Sequence, residues 1–158
     1  MRIATGVVIA IALGLCGAGT VAVAGEYSAT LSGLEVVPPV FETPASGLGD
    51  FDLDATRMFN YFVSYGGLLG TEIAAHVHGP APMGENGPVI FDLPLGPMKV
   101  GSYGPLTPQQ ESDLNDGLWY VSIETTLYPS GEIRGQILSS LPVENSSWGA
   151  IKALYKVE

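Results

Sequence analysis

Short alternations of apolar and polar residues, punctuated by glycine and proline, make up most of the chain. Residues 49–54 show the pattern most clearly, because Phe51 and Leu53 alternate with three aspartates, as in a strand with one buried face. Clusters of glycine and proline end these alternations and mark turns. The pattern predicts seven strands, at residues 27–32, 49–54, 58–65, 72–78, 89–93, 118–126 and 132–138.

One helix is predicted in the connection before the last two of these strands. Thr107 is a good N-cap residue, Pro108 suits the first helical position, and Gln110 completes a capping box. Gly117 supplies the C-terminal stop, so the helix is expected at residues 108–116. Many short strands with one helix in a connection predict an all-β fold, an antiparallel β-sandwich formed by residues 25–140.

Residues 141–158 are predicted to form a tail with a short amphipathic helix. Trp148, Ile151, Leu154 and Tyr155 recur in this tail at helical spacing. Two roles stay open for it: the tail docks onto the sandwich, or it serves as a sorting signal for export or surface attachment.

The first 24 residues have the layout of a secretory signal peptide. Arg2 is followed by an uncharged apolar stretch, and small residues precede the expected cleavage site after Ala24. A membrane anchor is the alternative, but glycine and alanine dilute the stretch, and it ends in a cleavage pattern. The protein is therefore expected to be exported, periplasmic or extracellular, with no membrane span in the mature chain that begins at Gly25.

The cysteine content and the charge limit the possible chemistry and partners. Cys16 is the only cysteine, so the mature chain has no disulfide and no thiolate for catalysis or metal binding. The full chain has a formal charge of −10, and loss of Arg2 with the signal peptide makes it −11. An acidic surface repels phosphate backbones, so nucleic acid is not expected as a partner. Cations, basic proteins and a role in solubility alone stay open.

Several segments together resemble the CHRD (chordin-like) domain family, in the family's order and over about residues 27–138. They are LSG at 31–33, EVVPPV at 35–40, AHVHGPA at 75–81, LT at 106–107 and GEIRGQI at 131–137. The resemblance implies an extracytoplasmic β-sandwich with a Greek-key topology like that of immunoglobulin or superoxide dismutase domains, in a bacterial exported member. In animal chordin such domains belong to a secreted growth-factor antagonist, and some bacterial members are suspected of binding copper.

Two positions depart from the family's usual pattern. Glu35 lies one position earlier than the glutamate of the usual Glu-Val-Pro-Pro segment. Glu124 stands where members commonly have a third histidine, within the segment YVSIET at residues 120–125. The chain therefore lacks the third histidine of the family's pattern.

The two histidines of the chain are the candidate metal ligands. His76 and His78 lie two apart on a predicted strand, so their side chains share one face. If the strand of Glu124 lies alongside, its carboxylate becomes a third ligand, and this set suits zinc, or non-haem iron, better than copper. The apolar neighbours are expected on the opposite, core-facing side: Ile73, Ala75 and Val77.

Three interpretations of this histidine face stay open. The first is a zinc or copper site, the second is a structural polar network with Glu124, Glu132 or Arg134, and the third is recognition of a protein partner. Arg134 itself is expected to pair with Glu132 or with a carboxylate of another strand.

No sequence motif for catalysis accompanies these residues. The chain lacks a Gly-x-Ser-x-Gly elbow and a Gly-rich phosphate loop, and two histidines are too few for a copper/zinc superoxide dismutase centre. The sequence therefore predicts a non-catalytic binding or structural module, with a zinc- or copper-binding protein as the alternative.

One further row of carboxylates is expected to be a solvated strand face, since no calcium-binding loop follows it: Asp50, Asp52 and Asp54.

Overall fold

The computed structural model describes residues 23–140 of the protein. The predicted signal peptide, apart from its last two residues, and the predicted C-terminal helix lie outside this range. Within residues 23–140, no helix is both long and apolar enough to cross a lipid bilayer.

The described residues form nine β-strands and one α-helix. In chain order these are β1 (Val23–Ser32), β2 (Ser46–Asp54), β3 (Phe59–Gly66), β4 (Glu72–His78), β5 (Val89–Asp92), β6 (Met98–Tyr103), α1 (Pro108–Asn115), β7 (Tyr120–Thr125), β8 (Ile133–Gln136) and β9 (Leu138–Ser139).

Eight of the strands form one antiparallel sheet in the order β5-β4-β7-β8-β1-β2-β3-β6, and β9 pairs with β1. The sheet curls over on itself. The ring of Phe91 in β5 stacks on that of Tyr103 in β6, with 4.2 Å between the ring centres. Side chains of the two terminal strands therefore meet, and the result is a nearly closed sandwich.

The core between the two halves of the sandwich is largely aromatic and β-branched. Phe59 is fully buried and packs against Phe51 and Trp119, with ring centres 5.3 and 5.4 Å away. Aromatic pairs of this kind contribute roughly 0.5–1.5 kcal/mol each beyond the area they bury. Val121 and Ile123 of β7 face the same core, so the other face of β7 points away from it.

The predicted fold class is confirmed, since the chain forms an antiparallel all-β sandwich with one helix in a connection. All seven predicted strands are present with bounds close to those expected. The helix begins at the predicted residue, because both halves of the capping box form. The Thr107 hydroxyl accepts from the amide of Gln110 at 3.2 Å, and the Gln110 side chain accepts from the amide of Thr107 at 2.9 Å.

Two features of the sheet differ from the sequence prediction. Strands β6 and β9 were not expected. Ile73 was expected to face the core, which is wrong, because 46% of its surface is exposed. A bulge between Glu72 and Ala74 shifts the alternation of β4, so inward-facing residues begin at Ala75.

Strand β6 carries a buried lysine that ties it to β4. The Nζ atom of Lys99 is fully buried and donates to Glu72 Oε1 at 2.5 Å, to the carbonyl of Pro94 at 2.6 Å and to that of Gly96 at 2.9 Å. The other oxygen of Glu72 accepts from the hydroxyl of Tyr65 at 2.6 Å. Burial and this hydrogen bond hold the pKa of Tyr65 well above its ordinary value.

Candidate metal centre

The two histidines and Glu124 lie on the outer face of the adjacent strands β4 and β7. On β4, His76 and His78 alternate with Ala75 and Val77, which are buried in the core. In the pairing with β7, His76 lies opposite Ser122 and His78 lies opposite Tyr120. Glu124 is two residues beyond Ser122 on the same face, so it is the diagonal neighbour of His76.

Both ring nitrogens of His76 contact carboxylates. Its Nδ1 atom lies 3.1 Å from Glu124 Oε1, and its Nε2 atom lies 3.3 Å from Asp92 Oδ1. Asp92 is opposite His76 in β5. Its role was missed at the sequence level, because nothing in the sequence sets the register of β5 against β4.

His78 is held differently, with one nitrogen bonded and the other without a partner. Its Nδ1 atom lies 3.0 Å from the carbonyl of Gly87, so this nitrogen carries the proton. Its Nε2 atom is buried and makes no hydrogen bond. The ring stacks flat on that of Tyr120, with centres 4.8 Å apart. Burial lowers the pKa of His78, which favours the neutral imidazole that a metal requires.

One ligand atom from each of His76, His78 and Glu124 lies within 4.8 Å of the other two. Within residues 23–140, no other group of three or more such side chains converges in this way. A tetrahedral zinc ion with bonds near 2.0–2.1 Å places its ligand atoms about 3.4 Å apart. The 3.1 Å contact between His76 and Glu124 is already close to this spacing, and His78 offers a nitrogen within 4.8 Å of both.

Comparison with known proteins gives the family of the chain. The family model of the CHRD domain matches residues 27–137. The chain belongs to the CHRD domain family. It is 31% identical over 121 residues to chordin of Danio rerio, covering 71% of this chain and 13% of chordin. The chain thus spans about an eighth of that relative's length. No solved structure matches the chain.

The CHRD segment GEIRGQI forms β8, beside β7, and its arginine fixes two loops. Arg134 is 2% exposed and donates to the carbonyls of Glu35 and Glu85, both at 3.3 Å, and to Gln136 Oε1 at 2.7 Å. Its guanidinium carbon lies 3.8 Å from the centre of the Tyr120 ring. The expected pairing of Arg134 with a carboxylate is not formed within the described residues. Its partners are two backbone carbonyls, the Gln136 side chain and an aromatic ring.

Glu132 of the same segment belongs to a separate network. It is fully buried, and its carboxylate accepts four hydrogen bonds. Oε1 accepts from the Thr43 hydroxyl at 2.6 Å and the Leu69 amide at 2.6 Å. Oε2 accepts from the Gly70 amide at 3.1 Å and the Thr125 hydroxyl at 2.9 Å. Glu132 therefore anchors the loop before β4 and does not share partners with His76 or Arg134.

The aspartate row of β2 lies far along the sheet from the histidines and gathers no common ligand set. Asp54 accepts from the amides of Thr56 and Met58 at 2.8 and 3.0 Å and thus closes the turn before β3. Asp52 accepts from Asn60 at 2.8 Å. These bonds account for two of the three carboxylates by local structure.

Proposed function

We propose that this CHRD domain is an exported, non-catalytic module that binds a zinc ion through His76, His78 and Glu124. Membership of the CHRD family supports a binding or structural role. The observation that carries the metal assignment is the buried, unpartnered Nε2 atom of His78, beside a second imidazole and a carboxylate. Leaving a buried polar nitrogen without a partner costs about 1–3 kcal/mol, and a bound cation removes this cost.

The contacts of the other ring nitrogen of each histidine support the same assignment. A metal-bound histidine usually donates its other N–H to a carboxylate or a carbonyl, which orients the ring. The Nδ1 atom of His78 is placed to donate to the Gly87 carbonyl, which leaves Nε2 for the ion. The Nε2 atom of His76 lies 3.3 Å from the carboxylate of Asp92, and an ion held by Nδ1 would leave Nε2 to this carboxylate. On this assignment each histidine keeps one ring nitrogen for the ion.

Zinc fits this donor set better than copper. Two imidazoles and one carboxylate match known three-ligand zinc sites, which keep a fourth position open. Copper prefers softer or more nitrogen-rich ligand sets, and Glu124 supplies an oxygen instead. A cavity of about 220 Å³ lies beside His78, Glu124 and Arg134 and would give room for a fourth ligand.

Calorimetric titration of the purified protein with zinc tests this proposal. The unchanged protein is expected to bind one zinc ion, and the His76→Ala/His78→Ala variant is expected to lose measurable binding. Asp92→Asn keeps all three ligands but weakens the orientation of His76, so its affinity is expected to fall about 10- to 100-fold. The matched control is Asp116→Asn at the exposed end of α1, which should bind zinc as tightly as the unchanged protein.

Zinc affinity that is equal in the double-histidine variant and the unchanged protein would contradict the proposal. So would a failure of the unchanged protein to bind zinc, because the histidine face would then be a structural network alone. Thermal unfolding of each variant without metal separates loss of the site from loss of the fold.

The export part of the proposal rests on the first 24 residues. Amino-terminal sequencing of the protein recovered outside the cytoplasm is expected to begin at Gly25. An exported protein that still begins at Met1 would contradict cleavage.

A further inference from the structure

The outer face of strands β2, β3 and β6 carries a cluster of exposed apolar side chains, which we call the apolar patch. Phe62 of β3 lies between Asp50 of β2 and Val100 of β6 in the strand register. In the next outward-facing row, Ser64 of β3 lies between Leu48 of β2 and Met98 of β6. Four large apolar side chains are thereby exposed: Leu48 at 59%, Phe62 at 38%, Met98 at 65% and Val100 at 67%. A cluster of this kind on a surface usually marks a contact site.

An acidic strip borders this apolar patch, and the described residues offer it no counter-charge. Asp50 has neither a hydrogen-bond nor an ion-pair partner within residues 25–140, and Glu26 is exposed beside Asp52. The three basic side chains of residues 23–140 are engaged elsewhere. Arg57 pairs with Glu111, and the other two are buried, namely Lys99 and Arg134. The natural occupant of this face is therefore apolar on one side and basic on the other.

The chain leaves the sandwich at this same face. The amide of Ser140, the last described residue, donates to the carbonyl of Glu26 at 2.8 Å. Ser140 also lines a groove of about 770 Å³, together with Asp52, Phe62 and Val100. The eighteen residues that follow thus start at the edge of the patch.

The sequence of residues 141–158 has the composition that the face requires. At helical spacing, Trp148, Ile151, Leu154 and Tyr155 form an apolar stripe, and two lysines flank one edge of the stripe. These are Lys152 and Lys156, the only basic residues after Arg134. Residues 141–147 span at most about 23 Å when extended, and crossing from β1 to β6 takes about 15 Å at the usual strand spacing. The stripe therefore reaches the patch.

We propose that residues 141–158 of this chain dock on the outer face of β2, β3 and β6. The apolar stripe covers Phe62, Val100 and their neighbours, and the two lysines face Asp50 and Glu26. The inference is independent of the metal site, which lies on other strands.

Acrylamide quenching of Trp148 fluorescence in the full chain tests the docking. The other tryptophan, Trp119, is fully buried. A Trp148→Phe variant gives the fluorescence of Trp119 alone, which is subtracted from that of the unchanged protein. Trp148 is expected to be protected in the unchanged protein. Its protection is expected to be lost in the Lys152→Glu/Lys156→Glu variant and equally in the Glu26→Lys/Asp50→Lys variant.

Combining the two charge reversals restores opposite charges across the contact, so protection is expected to return. The control reverses two exposed acidic residues that do not line the groove, Glu42→Lys/Glu85→Lys, and should leave quenching unchanged. The proposal would be overturned if Trp148 of the unchanged protein were quenched as strongly as free tryptophan in solution. Protection that grows with protein concentration would also overturn it, because the occupant would then be a second copy.

Discussion

Replacing Glu132 by glutamine is expected to lower the free energy of unfolding by about 3–5 kcal/mol. Each oxygen of this fully buried carboxylate accepts one backbone N–H, from Leu69 or from Gly70, and one hydroxyl. A threonine hydroxyl can turn and accept from an amide, but a backbone N–H cannot. Whichever way the glutamine amide is oriented, its NH₂ group therefore faces one N–H donor and leaves it unsatisfied.

Urea unfolding measures this effect, with Glu111→Gln as the matched control. Glu111 carries the same side chain in a partly exposed ion pair with Arg57, 3.2 Å long. Pairs of this kind contribute only about 0–1 kcal/mol. If Glu132→Gln costs no more than Glu111→Gln, the network around Glu132 does not have the role assigned to it.

The same carboxylate makes stability sensitive to acid. Burial raises the pKa of Glu132, but its four hydrogen bonds outweigh burial and hold the pKa below the ordinary value. Its contribution is therefore present above the unfolded-state pKa of about 4.3 and is lost as pH falls through the lower folded-state pKa. The gap in stability between the unchanged protein and Glu132→Gln is expected to narrow in this acidic range.

Replacing Lys99 by methionine is expected to cost a similar amount, about 3–5 kcal/mol. Methionine fills the volume of the buried side chain but leaves Glu72 without its cation. The carbonyls of Pro94 and Gly96 lose their donor as well. A buried carboxylate without a counter-charge is the larger of these two penalties.

A double variant separates the charge pair from the packing. Lys99→Met combined with Glu72→Leu removes both charges, so it is expected to lose less stability than the sum of the single variants. Urea unfolding of the two single variants and the double variant measures this coupling. Additive losses would show that Lys99 and Glu72 stabilise the sheet independently.

Local sequence signals predicted the parts of this fold that depend on local structure. The capping box of α1 formed as expected because Thr107 and Gln110 interact within one turn. The alternation of β7 likewise placed Val121 inside and Glu124 outside. These patterns need no knowledge of distant residues.

Features that depend on strand register were not predictable in the same way. Strand β6 has exposed Met98 and Val100 with buried Lys99 between them, the reverse of the usual pattern. Burial of Lys99 is favourable because Glu72, distant in sequence, supplies the counter-charge beside two backbone carbonyls. The exposure of Ile73 follows from a bulge that becomes visible only when β4 is paired with β7.

The candidate site shows the same division. The two-residue spacing of His76 and His78 indicated a common face, and the strand order then brought Glu124 to 3.1 Å from His76. Asp92 contacts His76 Nε2 and comes from β5, and the Gly87 carbonyl contacts His78 Nδ1 and comes from the loop before β5. No pattern in the sequence identified either contact.

X-ray absorption at the zinc edge of the zinc-loaded protein tests the metal assignment most directly. The account predicts two imidazole nitrogens and one carboxylate oxygen at about 2.0–2.1 Å, with the imidazole signal absent from the His76→Ala/His78→Ala variant. A zinc shell of oxygen atoms alone in the unchanged protein would contradict it.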